Sequence, residues 1–164
     1  SMIRLQAHLL LIQRRSSMEV TIQANVEAKA YFDFILSTVQ TSLEVAGSNE
    51  KIKKGITFEK SLNTGFMKTE MCKVKVTDYV YPKIIELDYV SKSGTNTIRY
   101  VILPKGKDAC EVTYRETKYD ANHVEKKIGA WSEKGYRKKL EKRMNAVTQY
   151  LIEQKNKNET NTAG

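Results

Sequence analysis

The spacing of apolar residues changes along this chain, and the order of those changes limits its fold more than any other feature. Apolar and polar residues alternate strictly over residues 18–26, as in a half-buried β-strand. From Ala28 apolar residues recur every three or four positions until Gly47, which predicts one helix or two short helices with a bend. Strand-like segments then continue to Tyr119, and a helical period follows. This order predicts an α+β domain.

Five strand-like segments lie between the two helical regions. Turn-forming residues separate them, namely Gly65, Gly94, Gly106 and the pair Tyr81–Pro82. Because short turns join neighbouring strands in antiparallel pairs, the segments predict a meander. The predicted strands are residues 56–62, 67–76, 83–90, 97–103 and 109–119.

The last helical region carries one apolar stripe over five turns. A helix of about 20 residues is roughly 30 Å long, so this element can cover one face of a sheet. We therefore predict that a curved sheet of about six strands wraps around this helix. Residues 156–164 are polar and predict a flexible tail. The stripe consists of Tyr136, Leu140, Met144, Val147 and Leu151.

This order of elements resembles the helix-grip fold of the START-like, or Bet v 1-like, superfamily (SRPBCC), which includes polyketide cyclase-like and lipid-transfer domains. The resemblance covers residues 18–155, the predicted single domain. Within the superfamily, the chain is most similar to a small bacterial branch of unassigned function. The resemblance implies a cavity between the sheet and the C-terminal helix. The residues that carry it are Val20, Ile22 and Ala24, the turn at residues 25–27 into Ala28, Tyr31, Phe32 and Ile35, and the stripe from Trp131 to Leu151.

Residues 1–17 read as a leader rather than as part of the domain. Ser1 precedes Met2, which indicates an expression scar. The apolar run Leu9–Ile12 is too short for a secretory signal, whereas the acid-free, arginine-bearing composition leaves a transit peptide open. We favour a start site assigned too early, with Met18 as the initiator, because codons for residues 14–16 can spell a ribosome-binding sequence.

The residue types that usually carry metal or nucleophilic chemistry do not occur here in productive spacings. His8, His123, Cys72 and Cys110 show no paired ligand spacing, so we expect no metal, and the cysteines read as buried free thiols. The chain has no glycine-flanked serine elbow and no glycine-rich phosphate loop. We therefore assign no catalytic residue and no cofactor.

Tyrosines on the predicted strands are the best candidates for a ligand-binding wall. Inward tyrosines give an apolar surface with polar tips, which suits a small amphipathic ligand. Strand parity places Tyr89 and Tyr114 inward, leaves the side of Tyr100 open, and gives Glu116 the parity of Tyr114. The alternative is that these residues simply fill the core. We expect the ligand-binding residues to be Tyr89, Tyr114, Glu116, Leu140, Met144 and Val147, with Met67 and Met71 as further candidates for the wall.

Three functions remain open at this point. The leading hypothesis is a cytoplasmic protein that is not an enzyme and binds a small hydrophobic or amphipathic molecule. The first alternative is a cyclase- or hydrolase-like enzyme that uses pocket tyrosines and Glu116 for acid–base work. The second is a module that binds an acidic partner or nucleic acid through its basic helix.

The charge distribution bears on the last alternative. The formal charge is +9, and residues 125–157 hold 10 basic and 4 acidic residues. We expect little nucleic-acid binding, because Trp131 and Tyr136 are better explained as residues that anchor the core than as aromatics that stack on nucleic-acid bases. No apolar run reaches the length of a transmembrane helix, and the sequence leaves a homodimer open.

Overall fold

The computed structural model describes residues 17–65, 67–127 and 130–162. The first sixteen residues lie outside this set, so the scar, the leader and the early start site stay predictions. The described chain forms six strands and two helices: β1 Ser17–Ala24, α1 Ala28–Val45, β2 Thr57–Gly65, β3 Lys68–Val80, β4 Ile84–Ser91, β5 Gly94–Pro104, β6 Cys110–Asp120 and α2 Ala130–Thr162.

The strands form one antiparallel sheet in the order β1-β6-β5-β4-β3-β2. The meander from β2 to β6 is thus sequential, and the first strand pairs beside the last. Ile22 of β1 lies opposite Val112 of β6, and Tyr114 of β6 lies opposite Tyr100 of β5. This arrangement, with the long helix inside the curved sheet, confirms the predicted α+β helix-grip architecture.

The first helical region is one continuous helix rather than two. Its hydroxyl residues bond back to carbonyls one turn earlier, as Thr38 does to Ile35 at 2.7 Å and Thr41 does to Ser37 at 2.9 Å. These side chains therefore remain compatible with helical backbone. The opposite face of α1 is buried against the sheet and supplies Tyr31, Phe32, Ile35, Val39 and Leu43 to the core.

The long helix α2 is fixed to both the sheet and α1. Leu140 and Met144 are buried in the core. The Tyr31 hydroxyl donates to the backbone carbonyl of Met144 at 3.1 Å, and the guanidinium of Arg137 donates to the carbonyl of Glu19 on β1. These bonds place the helix across the concave face.

The end of α2 differs from the sequence-based prediction. We expected a flexible tail from residue 156, but the helix continues to Thr162. Extending an existing helix costs much less than starting one, and Thr160 and Thr162 bond back to the carbonyls of Asn156 and Asn158. Among the described residues, neither helix is long and apolar enough to span a membrane.

Candidate functional site

A cavity of about 270 Å³ lies between the concave face of the sheet and both helices. Strands β4, β5 and β6 form its floor, and one face of each helix forms the rest of its wall. We call it the inner cavity. Its lining residues are Tyr31, Phe34, Ile35, Thr38 and Val39 from α1, Leu87, Tyr89, Ile98, Tyr100 and Tyr114 from the sheet, and Arg143, Met144 and Val147 from α2.

Two tyrosine hydroxyls on this wall are unpartnered. Neither Tyr89 nor Tyr100 makes a side-chain hydrogen bond to another described residue. Burial raises the pKa of Tyr89 to about 12. Burial also raises the pKa of Tyr100 to about 12, against the opposing effect of the Arg143 cation. Near neutral pH both residues are therefore uncharged phenols with a free proton to donate.

One charged residue, Arg143, lies on the described wall of the inner cavity. Because Arg143 is exposed to solvent, its guanidinium lies at the rim of the inner cavity. It forms no ion pair or hydrogen bond with the part of the chain that the structure describes. The rim thus presents a free cation to whatever enters.

Glu116 forms a buried network beside the inner cavity. Only 1% of this residue is exposed. Its Oε2 atom accepts hydrogen bonds from the hydroxyls of Tyr114 and Tyr136, each at 2.6 Å, and its Oε1 atom accepts one from Asn96 Nδ2 at 2.9 Å. Lys118 Nζ lies 3.8 Å from Oε1. A buried carboxylate needs such partners, because an unpaired one is costly to remove from water.

The electrostatics of this network favour neutral tyrosines. Burial and the adjacent Glu116 carboxylate raise the pKa of Tyr114 far above its ordinary value. Burial, followed by the hydrogen bond to Glu116, raises the pKa of Tyr136 to about 12. Since Tyr136 belongs to α2 and Tyr114 to β6, the shared carboxylate joins the helix to the sheet.

A second space of about 480 Å³ lies towards the loop that connects β6 to α2. We call it the outer chamber. Tyr89 and Ile98 belong to the walls of both spaces, so the two adjoin. The outer chamber is more polar, with Lys60, Lys118 and Lys126 on its wall, and Asn96 there has a buried Oδ1 atom without a partner among the described residues.

The structure brings four of the six predicted site residues together. Tyr89, Tyr114, Met144 and Val147 line the inner cavity. Leu140 and Glu116 are each 1% exposed and lie in the packed interior instead of on that wall. A role for any of the six in binding stays a prediction.

Of three further candidates for the cavity wall, the structure places one on the inner cavity and two at the surface. Tyr100, whose side the sequence left open, faces the inner cavity, where its ring packs edge-on against Tyr114 at 5.1 Å between centroids. The suggestion that Met67 and Met71 line the same space is wrong, because they are 89% and 58% exposed. Met67 lies in the β2–β3 turn, and Met71 has the outward parity of its strand.

Sequence reasoning missed the contribution of α1 and the role of Arg143. The apolar stripe of α1 included Tyr31 and Ile35, but an apolar stripe does not show which part of it packs and which part borders a void. Arg143 stands at the edge of the α2 stripe, and that position was the one available signal. The buried thiols of Cys72 and Cys110 were predicted correctly.

Solved structures share this fold at low sequence identity. A protein from Arthrobacter aurescens, solved by NMR, superposes with a TM-score of 0.59 at 12% identity, over 84% of this chain and 90% of that one. Ara h 8.0201 gives 0.57 at 9% identity, over 84% and 97%. A norcoclaurine synthase point mutant from Thalictrum, in complex with a transition-state analogue, gives 0.51 at 12% identity, over 85% and 95%. At these identities the likeness establishes the fold alone.

A family model matches most of the chain by sequence. It is described as a domain of unknown function, DUF3284, and it matches residues 18–134. No curated protein matches the chain. Because the match covers well over half of the chain, this protein is a member of the DUF3284 family, and its helix-grip fold is the one that these solved structures share.

Proposed function

We propose that this protein binds a small hydrophobic or amphipathic molecule in the inner cavity. The observation that carries the proposal is the cavity itself, about 270 Å³ between sheet and helices. Protein interiors are normally close-packed, with few voids larger than one water molecule. A space of this size, with an apolar wall and two unpartnered hydroxyls, has the composition of a ligand site.

The neighbours support the same proposal. The norcoclaurine synthase structure holds a transition-state analogue, so at least one protein with this fold accommodates a small organic molecule. We infer that this chain holds its own small molecule in the inner cavity between its sheet and its helices. The identity of the molecule does not transfer at 12% sequence identity.

Binding has more support than acid–base catalysis. An effective general acid or base has a pKa near the working pH. The pKa values of Tyr89 and Tyr100 are raised to about 12. The carboxylate of Glu116 is held by three donors and lies outside the described cavity wall. These side chains are arranged to present and support polar contacts rather than to exchange protons.

Binding a ligand also has more support than binding nucleic acid through α2. Several polar side chains of that helix already have partners within the protein: Tyr136 bonds to Glu116, Arg137 bonds to Glu133 and to β1, and Lys155 pairs with Asp108 at 3.3 Å. Exposed cations such as Lys142 and Arg143 do remain on α2, but the aromatics that base stacking would need are engaged, since Tyr136 bonds to Glu116 and the Tyr150 ring packs against that of Phe34 at 5.6 Å. The cytoplasmic location and the homodimer stay predictions.

The test compares two matched valine-to-phenylalanine variants. Val147 lines the inner cavity, whereas Val45 at the end of α1 is 84% exposed. Native mass spectrometry will show any small molecule that co-purifies, and thermal unfolding with octanoate and 1-octanol will show stabilisation. We expect a rise in unfolding temperature for wild type and Val45→Phe, but not for Val147→Phe, whose ring occupies the cavity.

The opposite result is equally clear. If no small molecule co-purifies and neither probe stabilises wild type, the cavity is no ligand site. Equal stabilisation of wild type and Val147→Phe would place binding elsewhere on the protein.

A further inference from the structure

The polar groups of the inner cavity indicate the chemistry of the ligand's polar end. Three of them are free of partners in the described chain: the hydroxyls of Tyr89 and Tyr100 and the guanidinium of Arg143. The other hydroxyls are engaged, since Tyr31 donates to Met144, Tyr114 donates to Glu116 and Thr38 donates to Ile35. All three free groups are able to donate hydrogen bonds, and the guanidinium can only donate.

Arg143 sits where a head group would meet it. It belongs to the same helix as Met144 and Val147, which form part of the apolar wall, but its own residue is exposed at the rim. Its charge is close enough to act electrostatically on the phenols of both Tyr100 and Tyr136. A cation therefore stands at the rim, with donor hydroxyls and an apolar interior beside it.

We propose that the ligand is an amphipathic carboxylate, whose carboxylate is held at the rim by Arg143 with Tyr100 as a further donor, and whose apolar part fills the inner cavity. This inference depends on the proposed function. A carboxylate is an acceptor only, so it complements these donors, and arginine binds it through two parallel N–H···O bonds. An ammonium head would be repelled by the guanidinium, and an alcohol would leave the cation uncompensated.

Glu116 does not oppose this arrangement. Its carboxylate is buried, and four side chains face it: Tyr114, Tyr136, Asn96 and Lys118. It lies outside the described wall of the inner cavity. The ligand's charge and the protein's buried charge therefore have separate partners.

The experiment uses three probes that share one chain length, octanoate, 1-octanol and octylammonium, titrated into the full-length protein by calorimetry. We expect octanoate to bind wild type about tenfold more tightly than 1-octanol, because a hydrogen bond between two charged groups is stronger than one to a neutral hydroxyl; tenfold corresponds to about 1.4 kcal/mol. Octylammonium should bind most weakly. Arg143→Gln should weaken octanoate about tenfold and leave 1-octanol unchanged.

Three control variants separate the site from general charge effects. Lys142→Gln removes the adjacent exposed cation of α2, which does not line the inner cavity. Lys126→Gln removes a cation from the outer chamber. Both should bind octanoate as wild type does. Arg143→Lys keeps the charge but not the paired geometry, so its affinity should fall between those of wild type and Arg143→Gln.

The outcomes distinguish this inference from the proposed function. If none of the three probes binds wild type in the cavity, the proposed function fails. If 1-octanol binds as tightly as octanoate, or if Arg143→Gln leaves octanoate binding unchanged, the carboxylate inference fails while the cavity remains a ligand site. A loss caused by Lys126→Gln instead would place the carboxylate in the outer chamber and overturn the role of Arg143.

Discussion

At the scale of single residues, inward polar side chains of this protein have two different roles. Glu116, Tyr114 and Tyr136 satisfy one another in the interior and hold α2 to the sheet. Tyr89 and Tyr100 keep free hydroxyls towards the inner cavity. Strand parity predicts that Tyr89, Tyr114 and Glu116 face inward and leaves the side of Tyr100 open, but it does not show which of them have partners. That distinction separates the residues that support the site from the residues that line it.

The Glu116 network should matter for stability. Glu116→Ala leaves two buried hydroxyls and the Asn96 amide without their acceptor, so we expect it to lower the free energy of unfolding by about 3 kcal/mol. Urea denaturation measures the change. The control is Glu19→Ala, because Glu19 is half-exposed and pairs with Arg115 at the surface at 3.1 Å. We expect that control to cost less than about 1 kcal/mol. Equal costs for the two variants would contradict a structural role for the network.

At the scale of elements, the sequence predicted those parts whose signal is local. The alternation of β1, the glycine turns of the meander and the break at Tyr81–Pro82 predicted all six strands, within a few residues of their observed ends. The continuity of α1 and the extension of α2 to Thr162 were harder to predict, because both depend on bonds between side chains and the preceding turn. The inner cavity depends on how far the two helices lie from the sheet where they cross it. No local pattern in the sequence encodes that separation.

Gly94 at the start of β5 is an element-scale requirement that the sequence indicated only as a turn. Its φ is +142°, and a Cβ atom there would collide with the backbone carbonyl of Tyr119 on β6. We expect Gly94→Ala to destabilise the protein by about 3 kcal/mol, since backbone rather than a flexible side chain must move. Gly106→Ala is the matched control: its φ is +87°, but it has open space around it. That variant should cost about 1 kcal/mol in urea denaturation. A larger cost at Gly106 than at Gly94 would contradict the predicted collision.

At the scale of the whole molecule, the buried tyrosines link the fold to pH. Five of them, on both helices and three strands, have pKa values raised above 10 by burial. Three of these, Tyr89, Tyr100 and Tyr136, rise to about 12. Because both helices and the sheet contribute to the set, ionisation affects the contact between layers rather than one element. The same neutral phenols that suit a ligand wall therefore limit the alkaline stability of the protein.

The direction of that dependence follows from linkage. The native state keeps protons that the unfolded chain releases above pH 10, so the tyrosine contribution is fully present below pH 10 and is lost as pH rises towards 12. Each such tyrosine adds up to about 1.4 kcal/mol per pH unit to the decline in the free energy of unfolding. Tyr100→Phe should therefore flatten the decline by up to that amount, as measured by urea denaturation between pH 10 and pH 12.

The control for this prediction is Leu87→Ala, which alters the same cavity wall without removing a titrating group. It should lower stability at every pH and leave the slope unchanged. Tyr100→Phe should change the slope with little effect near neutral pH, because the hydroxyl that it removes has no partner in the described chain. If the slope of Tyr100→Phe matched that of wild type, Tyr100 would ionise equally in the folded and unfolded protein, and the buried, neutral cavity wall would be wrong.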